Sequence, residues 1–206
     1  MKWVSTHWKH TLLDYAHPIP SITEIHVGKS TSVLAILMEE MMASMDSLPN
    51  VILIPDSNDD DTVTIEVDDD VPVKGVLSAV RFLGRLSRLY PITPESALLV
   101  DSNLERLGGF LPVVYEWCRN GISDKEAVTK RVTEEMEWLE SRFDDNEIWI
   151  EGFGDKTIAD VCWTGVIRWV VENDLWDADA TTSCHENLAC WWSHVRPEYV
   201  DEEEDE

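Results

Sequence analysis

The chain has no apolar run approaching the roughly 20 residues that a membrane-spanning helix needs, which argues against a bilayer span. Basic residues are scarce: 16 Lys and Arg stand against 41 Asp and Glu, a formal net charge of −25. Such a field repels phosphate backbones and anionic membrane surfaces, so direct nucleic-acid binding and membrane docking are both disfavoured. Cysteines are also few: Cys118, Cys162, Cys184 and Cys190, with no C-x-x-C pair. Reduced thiols are therefore expected rather than a disulfide framework or metal chemistry. Cys184, His185, Cys190 and His194 lie close in sequence, but their spacing fits no zinc finger, and no metal is expected. Residues 1–13 lack the apolar core and small-residue cleavage site of a secretory signal, so a cytoplasmic location is expected.

What is present is a substantial core. The 206 residues are 44% hydrophobic and include ten tryptophans, far too apolar for a disordered acidic chain. Strand and helix patterns mix in the first ninety residues. Residues 2–6 read as a short first strand, 7–16 as a helix and 21–27 as a second strand, with Pro18 and Pro20 as punctuation. Residues 30–45 carry Val33, Ile36, Leu37, Met41 and Met45 at helical spacing, with Ser30 or Thr31 to cap the start. Residues 51–54 and 62–67 read as two strands of a hairpin, joined by the polar stretch Asp56 to Asp61. Residues 74–89 form a strong amphipathic helix.

Beyond Pro91 only helices are expected. Thr93 and Pro94 open the first. Phe110 to Cys118 either continues it or begins another after Gly108-Gly109. Ser123-Asp124-Lys125-Glu126 reads as a capping box, Thr157 opens a further helix, and Asn187 to Val195 forms a shorter last one. The shift from mixed to all-helical pattern sets a boundary near residue 90, giving an α/β unit over 1–90, an all-α unit over 91–200 and an acidic tail over 201–206.

Three segments together resemble the glutathione-transferase superfamily. Leu48-Pro49 before residues 51–54 looks like the cis-proline ahead of the third strand, and Arg81-Phe82-Leu83-Gly84-Arg85 follows in the family's order. Pro72 is a rival for that proline, set aside because no strand is expected to fit between it and the next helix. Ile148-Trp149-Ile150-Glu151-Gly152 with Thr157-Ile158-Ala159-Asp160-Val161 resembles the family's buried N-capping box, formed by Thr157 and Asp160. Asn187-Leu188-Ala189-Cys190-Trp191-Trp192-Ser193-His194-Val195 is similar to the last helix of transferase-like modules in aminoacyl-tRNA synthetases, their scaffolds and elongation-factor subunits.

The resemblance implies a thioredoxin-like N-terminal domain followed by a helical C-terminal domain. It places any thiol-activating hydroxyl at Ser5 or Thr6, with Tyr15 further along. Pro49, Gly75 and Val76 fall on the family's glutathione-binding positions, but Gly75 and Val76 offer no polar side chain to the γ-glutamyl end. Asp68, Asp69 and Asp70 would disfavour an anionic tripeptide, partly offset by Lys2, Lys9 and Lys74. No cysteine precedes Cys118, which disfavours a cysteine nucleophile. The reading this supports is a catalytically degenerate module needing no cofactor. It would bind proteins such as synthetases or elongation-factor subunits through Arg168, Trp169, Trp192, His194 and the loop after Trp176. The alternatives are an active transferase that binds glutathione and a structural homodimer.

Overall fold

The computed structural model describes residues 23–28, 32–44, 51–56, 63–67, 72–122, 124–143, 148–177 and 185–195. The elements are β1 (Thr23–Gly28), α1 (Ser32–Ala43), β2 (Val51–Asp56), β3 (Val63–Val67), β4 (Val73–Lys74) and α2 (Val76–Leu86). There follow α3 (Pro94–Asn120), α4 (Lys125–Glu140), a 3-10 turn (Ile150–Gly152), α5 (Ile158–Glu172) and α6 (Glu186–Val195).

The four strands form one sheet in the order β2-β1-β3-β4. β1 runs parallel to β2, with Ile25 opposite Leu53, and antiparallel to β3, with Ile25 opposite Ile65. A parallel pair cannot close through a tight turn, so α1 supplies the crossover from β1 to β2. This order corrects three expectations. β2 and β3 are not a hairpin, because β1 lies between them. Among the described strands, the one that Leu48-Pro49 precedes in sequence is second in chain order and an edge strand parallel to β1, and the third is preceded in sequence by Thr62. A strand does fit between Pro72 and the next helix, the two-residue β4, which pairs Val73 with Ile65. The N-terminal strand and helix expected over 2–16, Pro49 itself and the tail over 201–206 lie outside the described residues.

The helical part follows the sequence closely. Thr93 caps α3 by accepting from the Ser96 amide at 3.2 Å, with Pro94 in the first turn. α3 runs unbroken through Gly108, Gly109 and Pro112 to Asn120, settling the alternative left open there. Gly108 has a packing reason: a Cβ there would stand 2.7 Å from Leu77 Cδ1 of α2. The cap of α4 is Asp124 rather than Ser123, its Oδ1 accepting from Ala127 N at 3.0 Å. Glu135 of α4 is fully buried between Arg106 of α3, at 2.6 Å, and Arg131.

α5 is apolar nearly all round, and a helix of that kind belongs inside. Twelve of its fifteen residues are buried. It is the post against which α1 packs, and Gly165 makes that approach possible: a Cβ there would meet the Leu37 Cα at 2.9 Å. The core runs continuously from Leu37 and Ile65 through Leu104 and Phe110 to Trp163 and Trp191, so the sheet-bearing and helical parts share one interior. No described helix is long and apolar enough to cross a membrane.

Candidate functional site

A cleft of about 280 Å³ opens between the first turn of α2 and the middle of α3. Gly75, Val76, Leu77 and Ser78 form one wall, and Gly108, Leu111, Pro112 and Tyr115 the other. Gly75 occupies the N-cap of α2 with φ of 104°, a left-handed conformation that disfavours side chains, and makes no side-chain cap bond. Its amide donates to the Val63 carbonyl at 2.9 Å, stitching the helix start to β3. The amides of the first turn are left for a ligand or for water.

The side chains offer little to such a ligand. Val76 is apolar, and among the described residues no charged one lines the cleft. Tyr115 is its largest polar group. Burial pushes this phenol well above its usual range, with the neighbouring Cys118 adding to the effect. Its hydroxyl is enclosed and has no hydrogen-bond partner among the described residues. A neutral phenol of this kind does not lower a thiol pKa by charge.

Ser5, Thr6 and Pro49 lie outside the described residues, as do Asp68, Asp69 and Asp70. The sheet nevertheless changes where a first-strand hydroxyl should be sought. β1, the inner strand bonded to both β2 and β3, ends at Gly28, and α1 begins at Ser32. The intervening sequence is Lys29-Ser30-Thr31, so Ser30, Thr31 and Ser32 follow this strand in the chain. The sequence reading gave Ser30 and Thr31 only a capping role. The signal it passed over was that residues 21–27 hold the chain's first β-branched run.

The Thr157–Asp160 capping box is present. Thr157 accepts from Ala159 N at 3.2 Å, and Asp160 Oδ2 accepts from the Thr157 amide and hydroxyl, each at 2.8 Å. Asp160 Oδ1 accepts from Ile150 N at 3.0 Å and Trp191 Nε1 at 3.3 Å. One fully buried carboxylate therefore ties together the turn at 150, the start of α5 and the middle of α6. Burial pushes its pKa up against these donors, which pull it down. All its contacts are structural, so it is a joint and not a catalytic acid.

Of the four expected contact residues, only His194 is exposed. It meets Trp149 edge-on with ring centres 5.6 Å apart. Trp169 and Trp192 are 3% and 7% exposed and belong to the core, so they cannot serve as surface contacts. Arg168 is turned inward: it donates to Glu172 at 2.8 Å on its own helix and to the buried Glu40 of α1 at 3.3 Å. The four residues lie on two helices, Arg168 and Trp169 on α5 and Trp192 and His194 on α6. Among the described residues no group of His, Cys, Asp and Glu is arranged to hold a metal ion. Burial also raises the Cys162 thiol far above its usual range, which leaves it inert.

No family model matches the chain, and no curated protein matches it in sequence. Solved structures match it over most of its length. The prostaglandin synthase D of Nilaparvata lugens superposes with a TM-score of 0.60 at 13% identity, covering 90% of this chain and 100% of that one. The theta class glutathione S-transferase of Xanthomonas axonopodis pv. citri gives 0.62 at 16% identity, covering 86% and 94%. A glutathione S-transferase from Pseudomonas fluorescens gives 0.61 at 15% identity, covering 86% and 96%. The chain thus has the glutathione-transferase fold, a thioredoxin-like sheet unit followed by a helical unit.

Proposed function

We propose that this chain is a catalytically degenerate protein on the transferase scaffold, acting by binding other proteins rather than by thiol transfer. The observation that carries this reading is the start of α2. There Gly75 and Val76 occupy the positions expected to hold the γ-glutamyl end of glutathione, and neither has a side chain able to pair with its ammonium or carboxylate. Two further features point the same way. Thr62, not proline, precedes β3, and a net charge of −25 opposes a tripeptide that is itself anionic. Fold alone decides nothing here, since one scaffold serves many functions. The same acidity favours basic partners. Aminoacyl-tRNA synthetases and elongation-factor subunits are the first to test, on the strength of the α6 pattern, although packing of Trp191 and Trp192 also accounts for much of that pattern.

An active transferase is the second reading, favoured by one observation: three hydroxyl residues, Ser30, Thr31 and Ser32, follow the end of β1. A donor hydrogen bond from such a hydroxyl would stabilise a thiolate. Calorimetric titration with reduced glutathione separates the two. Absence of binding up to about 10 mM, above the usual range of substrate affinities, is the expected result. Saturation below that, with thiol conjugation lost in a Ser30→Ala/Thr31→Ala/Ser32→Ala variant, would establish the second reading instead.

A further inference from the structure

A second crevice, of about 290 Å³, lies where the linker between α2 and α3 meets the loop ahead of α5. It shares no residue with the cleft at α2. Leu89, Pro91 and Phe153 supply its apolar surface, and Thr93 and Ser96 supply hydroxyls. Arg88 comes from one side and Lys156 from the other. Among the described residues neither cation has an ion-pair partner; Lys74, Arg85, Lys125 and Lys130 likewise have none, and what sets Arg88 and Lys156 apart is that both line one crevice.

From this juxtaposition we propose that the crevice binds a phosphate group, free or as the monoester of a compact organic molecule. A phosphate accepts several charge-assisted hydrogen bonds at once, and guanidinium and ammonium groups on opposite sides would grip it from two directions. The Ser96 hydroxyl accepts from Thr93 Oγ1 at 2.9 Å and keeps its own proton for a further acceptor. α3 starts at this crevice on Thr93, and its dipole adds positive potential, whereas the start of α5 on Thr157 is already met by the Asp160 carboxylate. Of the described residues that line the crevice only Asp155, an exposed residue on the rim, is acidic. At about 0.15 M salt the Debye length is about 8 Å, which weakens the repulsion between the acidic surface and an anion without removing it, so the two cations have to act at contact distance. The volume exceeds that of a bare phosphate, and the apolar wall leaves room for the organic part of an ester. Because an anion here would bridge the linker to the start of α5, it would also clasp the two parts of the fold, which the Ile158 amide already joins to the Leu89 carbonyl at 2.9 Å.

The test is calorimetric titration of the full chain with inorganic phosphate and with phenyl phosphate, at constant ionic strength set with sodium chloride. Saturable binding of at least one probe is expected. An Arg88→Gly/Lys156→Gln variant should weaken it at least tenfold, and Asp155→Asn should strengthen it. Arg88→Gly is a mild change to the backbone, because Arg88 has φ of 63°, where glycine is favoured. Should the double variant fail to fold, the Asp155→Asn comparison still decides. Tighter binding of phenyl phosphate would identify an ester as the ligand class, and equal binding free phosphate. No saturable binding of either probe would overturn the proposal. So would binding unchanged in both variants. The outcome is independent of whether glutathione enters the other cleft.

Discussion

Replacing Asp160 with alanine tests the account of the joint most directly. The carboxylate accepts from two backbone amides, a hydroxyl and an indole, all within 3.3 Å and all buried. Thr157 Oγ1 can redirect its proton, but the amides of Ile150 and Thr157 and the Trp191 indole cannot follow the lost acceptor. A buried donor left without a partner costs about 1–3 kcal/mol. Three of them give a ceiling of about 9 kcal/mol, and water entering the vacated space lowers this to about 3–5 kcal/mol. For a domain of this size each kcal/mol is worth roughly 2–4 °C, so Tm should fall by about 6–20 °C. Thermal unfolding by circular dichroism, with urea titration alongside, reads the effect. Since the turn at 150 and α6 hang on the same carboxylate, near-ultraviolet signal from Trp191 should fall even below Tm. A variant melting within 2 °C of the parent would refute the idea that this carboxylate holds three segments together. Asp160→Asn should lie between the two, because its amide keeps one acceptor and turns a donor towards another donor.

Three further outcomes follow from the packing. Gly165→Ala places a methyl 2.9 Å from the Leu37 Cα, so urea titration should show a loss of about 1–3 kcal/mol as α1 is forced off α5. Arg168→Met leaves Glu40, whose side chain is 3% exposed, without this cation; it should lower Tm in the isolated protein, and an unchanged Tm would return Arg168 to the surface contacts. Asp101 accepts from Arg81 at 2.7 Å and Tyr90 at 2.7 Å; burial alone would raise its pKa, but these bonds and the arginine charges hold it below the usual range. Its contribution is therefore complete above the unfolded value of about 3.9 and is lost as pH falls through the lower folded value. Asp101→Asn should be less stable than the parent at pH 7 by under about 1 kcal/mol, since the pair is partly exposed, and the gap should close below about pH 3.

The candidate sites were unevenly legible, and the reasons lie in the range of the interactions. The Thr157–Asp160 box could be read because its partners are three residues apart and its geometry is local. Its further bonds to Ile150 and Trp191 could not, because nothing local relates residues 150, 160 and 191. Arg168 and Trp169 looked like surface groups at one end of a helix. Only the placement of α1 against α5 turns the arginine towards Glu40 and encloses the indole. The phosphate crevice is of the same kind, since Arg88 and Lys156 are 68 positions apart and meet only through the packing of linker against loop.

By itself the sequence determined the described helices beyond residue 74 and the caps at Thr93 and Thr157. The 3.6-residue periodicity and a hydroxyl at a helix start are decided within a few residues of chain. It also determined what the start of α2 lacks, since Gly75 and Val76 have no polar side chain in any conformation. The tertiary structure alone decided the order of the strands. Alternating apolar residues fix which face of a strand is buried but not which strand lies beside it, so the run at 51–56 was as compatible with a hairpin as with the parallel edge it forms. The position of the first-strand hydroxyls depended on that order.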